Sequence, residues 1–139
     1  MNRKPKVFVV DDDQDLVDVV TSVLESSGYE VANAASGREA IETVGSVSPD
    51  IIVLDVMMED VVAGFRVVNF LRNYDDHPEN KRFSTVPILM LTSIQQRTGM
   101  KFAQDAGSRL LPIDAFLEKP VKPKVLLEKL KELLGRPTA

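Results

Sequence analysis

The sequence predicts an α/β protein, a five-stranded parallel β-sheet with helices on both faces, and three observations carry that reading. Short runs of almost wholly apolar residues, Val7-Phe8-Val9-Val10, Ile51-Ile52-Val53-Leu54, Ile88-Leu89-Met90-Leu91 and Ala115-Phe116-Leu117, lack the polar alternation of a one-sided strand and suit strands buried on both faces. These runs alternate with stretches of helical spacing, as parallel pairing requires, because each parallel neighbour is reached by a crossover. Finally, each run leads into a chemically capable side chain: Asp11-Asp12-Asp13, Asp55, Thr92 and Lys119-Pro120. The carboxyl ends of parallel strands border the ligand crevice of such sheets, so one site built from all four is expected.

Taken in order, the first run is followed by a helix over Gln14–Ser26, where Leu16, Val19, Val20, Val23 and Leu24 recur on one face. Asp12 or Asp13 is placed to cap it and Gly28 to end it. Residues 29–34 read as a second strand, and Ser36-Gly37-Arg38-Glu39 has the form of a capping box opening a helix through about Val44. Pro49-Asp50 leads into the strand that ends on Asp55. Residues 64–74 read as a third helix carrying Phe65, Val68, Phe70 and Leu71.

The polar, proline-interrupted residues 75–85 read as a long surface loop before the strand at 87–91. A fourth helix is expected within 95–106, weakened by Gly99 and closed by Gly107 and Pro112. The last helix spans 122–134, with Pro123 in its first turn, Gly135 after its end, and Leu126, Leu127, Leu130, Leu133 and Leu134 on one face. Five strand–helix units with right-handed crossovers imply the flavodoxin-like, doubly wound arrangement with strand order 2-1-3-4-5 and five helices on two faces.

Composition limits the function. The 139 residues suffice for one domain, with a core over about 5–135. With 17 basic and 21 acidic residues the net charge is −4, which gives no basic footprint for direct nucleic-acid binding. The absence of cysteine excludes disulfides and thiolate metal sites. No signal-peptide core and no run approaching the roughly 18 apolar residues of a membrane helix is present, so a cytoplasmic protein without membrane attachment is expected.

If Asp11, Asp12 and Asp55 converge, their charges repel in a partly desolvated crevice and call for a cation. An all-oxygen ligand set with room for water and phosphate matches Mg²⁺. Lys119 adds a positive charge and the Thr92 hydroxyl a hydrogen-bond donor. This set suits phosphoryl transfer, which depends mostly on positioning and charge neutralisation. Asp55 is then the nucleophile, forming an acyl phosphate, while Asp12 and Asp55 hold the metal and Asp11 orients a metal-bound water. Asp13 reads as a helix cap alone, and Met57, Met58 and Met90 as packing side chains. His77, the only histidine, reads as a solvated loop residue.

Val10-Asp11-Asp12-Asp13, Leu54-Asp55-Val56-Met57-Met58, Leu91-Thr92-Ser93 and Lys119-Pro120, in this order, resemble the receiver domain of bacterial two-component response regulators, specifically single-domain, chemotaxis-regulator-like receivers. The resemblance spans nearly the whole chain. It implies that Asp55 accepts a phosphoryl group from a sensor histidine kinase or a histidine phosphotransfer protein. It further implies that the Met57 carbonyl completes the Mg²⁺ ligands and that Lys119-Pro120 is a cis bond. Thr92 and Phe116 would act as switch residues that shift the surface of the fourth helix, last strand and last helix. Such a domain is a phosphoacceptor that assists its own phosphorylation and dephosphorylation rather than an ordinary enzyme.

The chain departs from the family pattern in having Glu59 where a proline is usual, one extra residue before Gly64, and longer stretches at 75–85 and 99–112. The resemblance implies that Met57 and Ile94, two positions beyond Asp55 and Thr92, flank the route of the hydrolytic water; both are apolar, so a long-lived acyl phosphate is expected. Only residues 135–139 follow the last helix, so the output is expected to pass to a downstream protein target or an output domain outside this sequence; a homodimer is also compatible. Two alternatives compete: a phosphorylation-independent binding adaptor, and an aspartyl phosphatase. The second lacks its usual acid, because Met57 stands at that position.

Overall fold

The computed structural model describes residues 4–55, 63–73, 78–92, 114–119 and 121–135. Five strands, β1 (Lys6–Val10), β2 (Glu30–Ala34), β3 (Ile51–Asp55), β4 (Ile88–Thr92) and β5 (Ala115–Glu118), form one sheet in the order β2-β1-β3-β4-β5. Every neighbouring pair is parallel. Four α-helices are described: α1 (Gln14–Ser26), α2 (Gly37–Val47), α3 (Ala63–Arg72) and the C-terminal α4 (Pro123–Leu134). The helix expected within 95–106 lies outside the described residues.

The apolar strands do alternate, but between two cores. Phe8, Val10, Ile52, Leu54, Ile88 and Met90 pack with α2 and α3. Val7, Val9, Ile51, Val53, Leu89 and Leu91 point the other way and pack with α1 and α4. A period of two with both faces covered therefore reads in sequence as an unbroken apolar run. All five side chains of β3 are buried, whereas all four of β5, an edge strand, are half-buried.

α1 begins where Asp13 accepts the Leu16 amide, and α2 where Ser36 accepts the Glu39 amide while the Glu39 side chain accepts the Ala35 amide. The second pair is a capping arrangement in which two orphan amides are satisfied reciprocally. α2 runs to Val47, beyond the expected Val44, and closes on Ser48 in the left-handed region at φ 49°.

Several expectations are corrected. On α1 the buried residues are Val17, Val20 and Leu24, whereas Val19 is 58% exposed. Val17 and Val19 flank the same stripe, and the sheet takes the former because the helix is rotated toward it. α3 buries Val67, Val68 and Leu71 and ends at Arg72, short of residue 74.

The largest correction concerns 75–85, where the expected surface loop contains a 3₁₀-helix at Pro78–Phe83. Phe83 enters the core of the α2–α3 side, and the buried Asn80 donates to Phe70 O at 3.0 Å. The Arg72 guanidinium reaches back to accept this segment, donating to Phe83 O at 3.0 Å and Ser84 O at 2.8 Å. A single apolar residue in a polar stretch thus finds a core partner that neither periodicity nor composition announces.

Candidate functional site

The strand order places the tips of β1 and β3 side by side, with the tip of β4 between β3 and β5. Asp11 directly follows β1, and its amide still donates to Ala34 O at 3.1 Å, so its backbone is held by the sheet. Its carboxylate is held as well: Oδ1 accepts the Asp13 amide at 2.9 Å and Oδ2 accepts Lys119 Nζ at 3.2 Å. The first of these is the local bond by which aspartate stabilises a turn two residues on. Asp13, spent on capping α1, therefore also orients Asp11 through its backbone.

Asp55 closes β3 and is almost wholly buried, as is Asp11, while Asp12 stands exposed at the rim. Lys119 Nζ lies 3.2 Å from Asp55 Oδ1 as well as from Asp11 Oδ2, so one ammonium sits against two buried carboxylates. The Asp55 contact is an ion pair and not an aligned hydrogen bond. Among the described residues, Asp55 Oδ1 is buried with no hydrogen-bond partner.

The charges explain the acidities. The Asp55 carboxyl is raised from 3.8 to about 6, first by burial and then by the neighbouring Asp11 carboxylate, with Lys119 holding the rise in check. Burial alone would lower the Lys119 ammonium, but Asp55 and Asp11 overcome it and the net shift is upward. Both follow from ionised groups losing water and seeing one another at short range.

Asp11, Asp12 and Asp55 each offer a carboxylate oxygen within 4.8 Å of the others. Three carboxylates face one ammonium, leaving the cluster short of positive charge. The all-oxygen donor set, with a buried Asp55 oxygen that accepts no hydrogen bond among the described residues, fits a hard divalent cation such as Mg²⁺, which takes one or two carboxylates and keeps several waters. The residues present thus fit the group the sequence anticipated.

Thr92 is the last residue of β4, one step beyond Leu91, the register partner of Asp55. Phe116 lies in β5, opposite Met90, and packs half-buried against the core of the α2–α3 side. Met57, Ile94, His77 and Pro120, with the loop at 59–62 and the expected cis bond, lie outside the described residues.

Two polar residues escaped the sequence reading. Arg72 is half-buried at the end of α3, and its Nη2 pairs at 3.1 Å with Asp114, just before β5. Asp114 Oδ2 also accepts the Ile88 amide at 2.8 Å. Nothing in the sequence flags this pair, because its partners become neighbours only once the strand order is known.

Comparisons with known proteins agree with this fold. The family model for the response regulator receiver domain matches residues 7–131. The DNA-binding dual master transcriptional regulator RpaA of Synechocystis is 32% identical over 132 residues, covering 95% of this chain and 50% of RpaA. The chain therefore spans about half the length of that curated relative. Among solved structures, the chemotaxis response regulator CheY4 of Vibrio cholerae is 30% identical with a TM-score of 0.72, covering 94% of this chain and 99% of that one. The receiver domain of the sensor histidine kinase PA1611 of Pseudomonas aeruginosa, described with a magnesium ion coordinated in its active site cleft, has a TM-score of 0.78 at 23% identity, with 96% and 100% coverage. That likeness is one of fold.

A doubly wound sheet with buried acids and a lysine at its strand tips defines the class, a signalling domain of two-component systems. The chain belongs to the response regulator receiver domain family. No helix among the described residues is long and apolar enough to cross a membrane.

Proposed function

We propose that the protein, across a single domain occupying 1–139, is a phosphorylation-dependent switch in which Asp55 receives a phosphoryl group from phosphohistidine on a sensor histidine kinase or a histidine phosphotransfer protein. The observation that carries this reading is the single Lys119 ammonium 3.2 Å from both Asp11 and Asp55, with a third carboxylate alongside. Asp12 and Asp55 would hold Mg²⁺, with Asp11 orienting a bound water and the Met57 carbonyl completing the set. Bound there, the ion supplies the positive charge that neutralises the oxygens of the transferring group.

The chain's own residues do the rest. Asp55 must be ionised to attack phosphorus, and Lys119 favours that form against the pull of burial and of Asp11. A carboxylate oxygen of Asp55 forms the new P–O bond as the P–N bond to the donor imidazole breaks, and the imidazole takes a proton from solvent. Lys119 remains beside the phosphoryl oxygens, and Thr92 at the neighbouring tip donates a hydrogen bond to them. Thr92 and Phe116 then bias the surface formed by the helix expected within 95–106, β5 and the C-terminal α4 toward one of two arrangements read by a downstream protein or output domain. Phosphorylation and its loss would both use this same cluster.

The test is intact-mass measurement after incubation with Mg²⁺ and a small acyl phosphate donor. One stable phosphoryl gain that disappears in Asp55→Asn and without Mg²⁺ is expected. Continuous release of inorganic phosphate would instead mark a phosphatase, and the lack of any gain an adaptor; either would overturn the switch.

A further inference from the structure

Two aspartates make the same unusual contact at the opposite end of the sheet from the site. Asp50 directly precedes β3; its amide donates to Lys6 O at 2.9 Å and its carboxylate accepts the Lys6 amide at 2.7 Å. Asp114 directly precedes β5; its amide donates to Ile88 O at 3.0 Å and its carboxylate accepts the Ile88 amide at 2.8 Å. In a parallel ladder the N–H and C=O of one residue face the same neighbouring strand, so each carboxylate stands in for the carbonyl that an earlier strand residue would have supplied. Each aspartate thereby grips one residue of the adjacent strand at two points. Each also lies five positions before a residue of the site: Asp50 before Asp55, and Asp114 before Lys119.

The second grip is the more consequential. β5 is an edge strand of four half-buried residues that, among the described residues, pairs only with β4, with the register Leu89↔Ala115 through Thr92↔Glu118. A slip of one residue moves the chain by about 3.3 Å and turns every side chain to the other face. Lys119, whose Nζ must reach 3.2 Å from two fixed carboxylates, would lose both. Opposing the slip, Arg72 ties the Asp114 carboxylate to α3 and, through Phe83 O and Ser84 O, to the 3₁₀ segment.

Building on the phosphotransfer reading, we propose that Asp114 is a positioning residue: its carboxylate fixes β5 in the register that delivers Lys119 to Asp11 and Asp55, as Asp50 does for Asp55 itself. Asp114→Ala removes the acceptor, Asp114→Glu keeps the charge but carries it one methylene too far, and Asp114→Asn keeps an acceptor oxygen at the same place. In the full chain with Mg²⁺ and acetyl phosphate, Ala and Glu are expected to slow phosphoryl gain by about tenfold or more, the scale on which one misplaced electrostatic donor acts. Mg²⁺ affinity, set by carboxylates on β1 and β3, should stay within about twofold. Asn should recover most of the rate.

Amide hydrogen exchange along β5, read in parallel without any donor, should lose protection in Ala and Glu and keep it in Asn. A folded Glu variant that is as fast and as protected as the parent overturns the proposal, as does an Asn variant no better than Glu. Should Ala fail to fold, Glu and Asn decide. If the parent itself takes no phosphoryl group, the phosphotransfer reading falls, and the register claim stands or falls on exchange alone.

Discussion

Replacing Asp55 by asparagine in metal-free protein should make the protein relatively more stable as pH rises. Folding raises the Asp55 carboxyl from 3.8 to about 6, chiefly by burial and then by the nearby Asp11 charge. The fold therefore favours the neutral carboxyl. Its contribution is whole below pH 3.8 and is lost as pH rises through about 6. About two pK units correspond to about 3 kcal/mol over the full window. Roughly half of it falls between pH 5 and 8, because at pH 5 the unfolded chain is already largely ionised. For a domain of this size that half is worth about 5 °C in Tm.

Asparagine has the same shape and no charge to desolvate, so it does not titrate and serves as the reference that cancels the carboxylates remote from Asp55. Calorimetric melts of both proteins from pH 4 to 8 with chelator should show the parent losing about 5 °C relative to Asp55→Asn between pH 5 and 8. Mg²⁺ at about 100 times its Kd should return about 2.7 kcal/mol to the parent at pH 8 and little to the variant. A Tm difference that is flat with pH, or that moves in the parent's favour as pH rises without metal, would refute the view that burial and the Asp11 charge hold the Asp55 carboxyl up.

Three further outcomes follow from contacts elsewhere. Phe83→Ala should cost about 3 to 5 kcal/mol in denaturant melts, since Phe83 is a core residue; a loss below about 1 kcal/mol would return 75–85 to the status of a surface loop. Asp13→Ala should cost about 1 kcal/mol by uncapping α1 while leaving phosphoryl gain at Asp55 unchanged, because the amide that holds Asp11 belongs to the backbone; a large loss of transfer would give Asp13 a role beyond the cap. Lys119→Met should move the Asp55 midpoint above about 6 in a carboxyl-carbon NMR titration, because Lys119 is what lowers it; a downward movement would contradict the charge balance described here.

Legibility in the sequence tracked how local the cause was. α1 is bounded by Asp13 and the Ser27–Gly28 turn, both local signals, and its observed limits coincide with the expected ones. The strand order followed from five alternating units and handedness, and the convergence of Asp11, Asp12, Asp55 and Lys119 followed from placing each at a strand tip. What was hidden depended on tertiary neighbours. Val17 and not Val19 meets the sheet because of a helix rotation that the pattern leaves open. Phe83 looked like a stray apolar residue among polar ones, and Asn80 like a loop residue. Asp50 read as turn punctuation and Asp114 carried no signal at all, and only the register turns them into acceptors for a neighbouring strand.

The placement of Lys119 explains why register should matter more here than in most edge strands. β5 does not adjoin β3, because β4 lies between them. With neighbouring strands about 4.8 Å apart, the ammonium must cross about 10 Å of sheet to meet Asp55 and farther still to meet Asp11 beyond it. A lysine stem can make that crossing only when nearly extended and directed over the β4 tip, where Thr92 sits. An extended side chain has little slack with which to absorb a shift of its own backbone. The Asp55 carboxylate has none either, being fixed by a strand whose side chains are all buried. The two halves of the charge cluster thus rest on the most rigid and the least anchored strands of the sheet, and the Arg72–Asp114 clasp acts on the second.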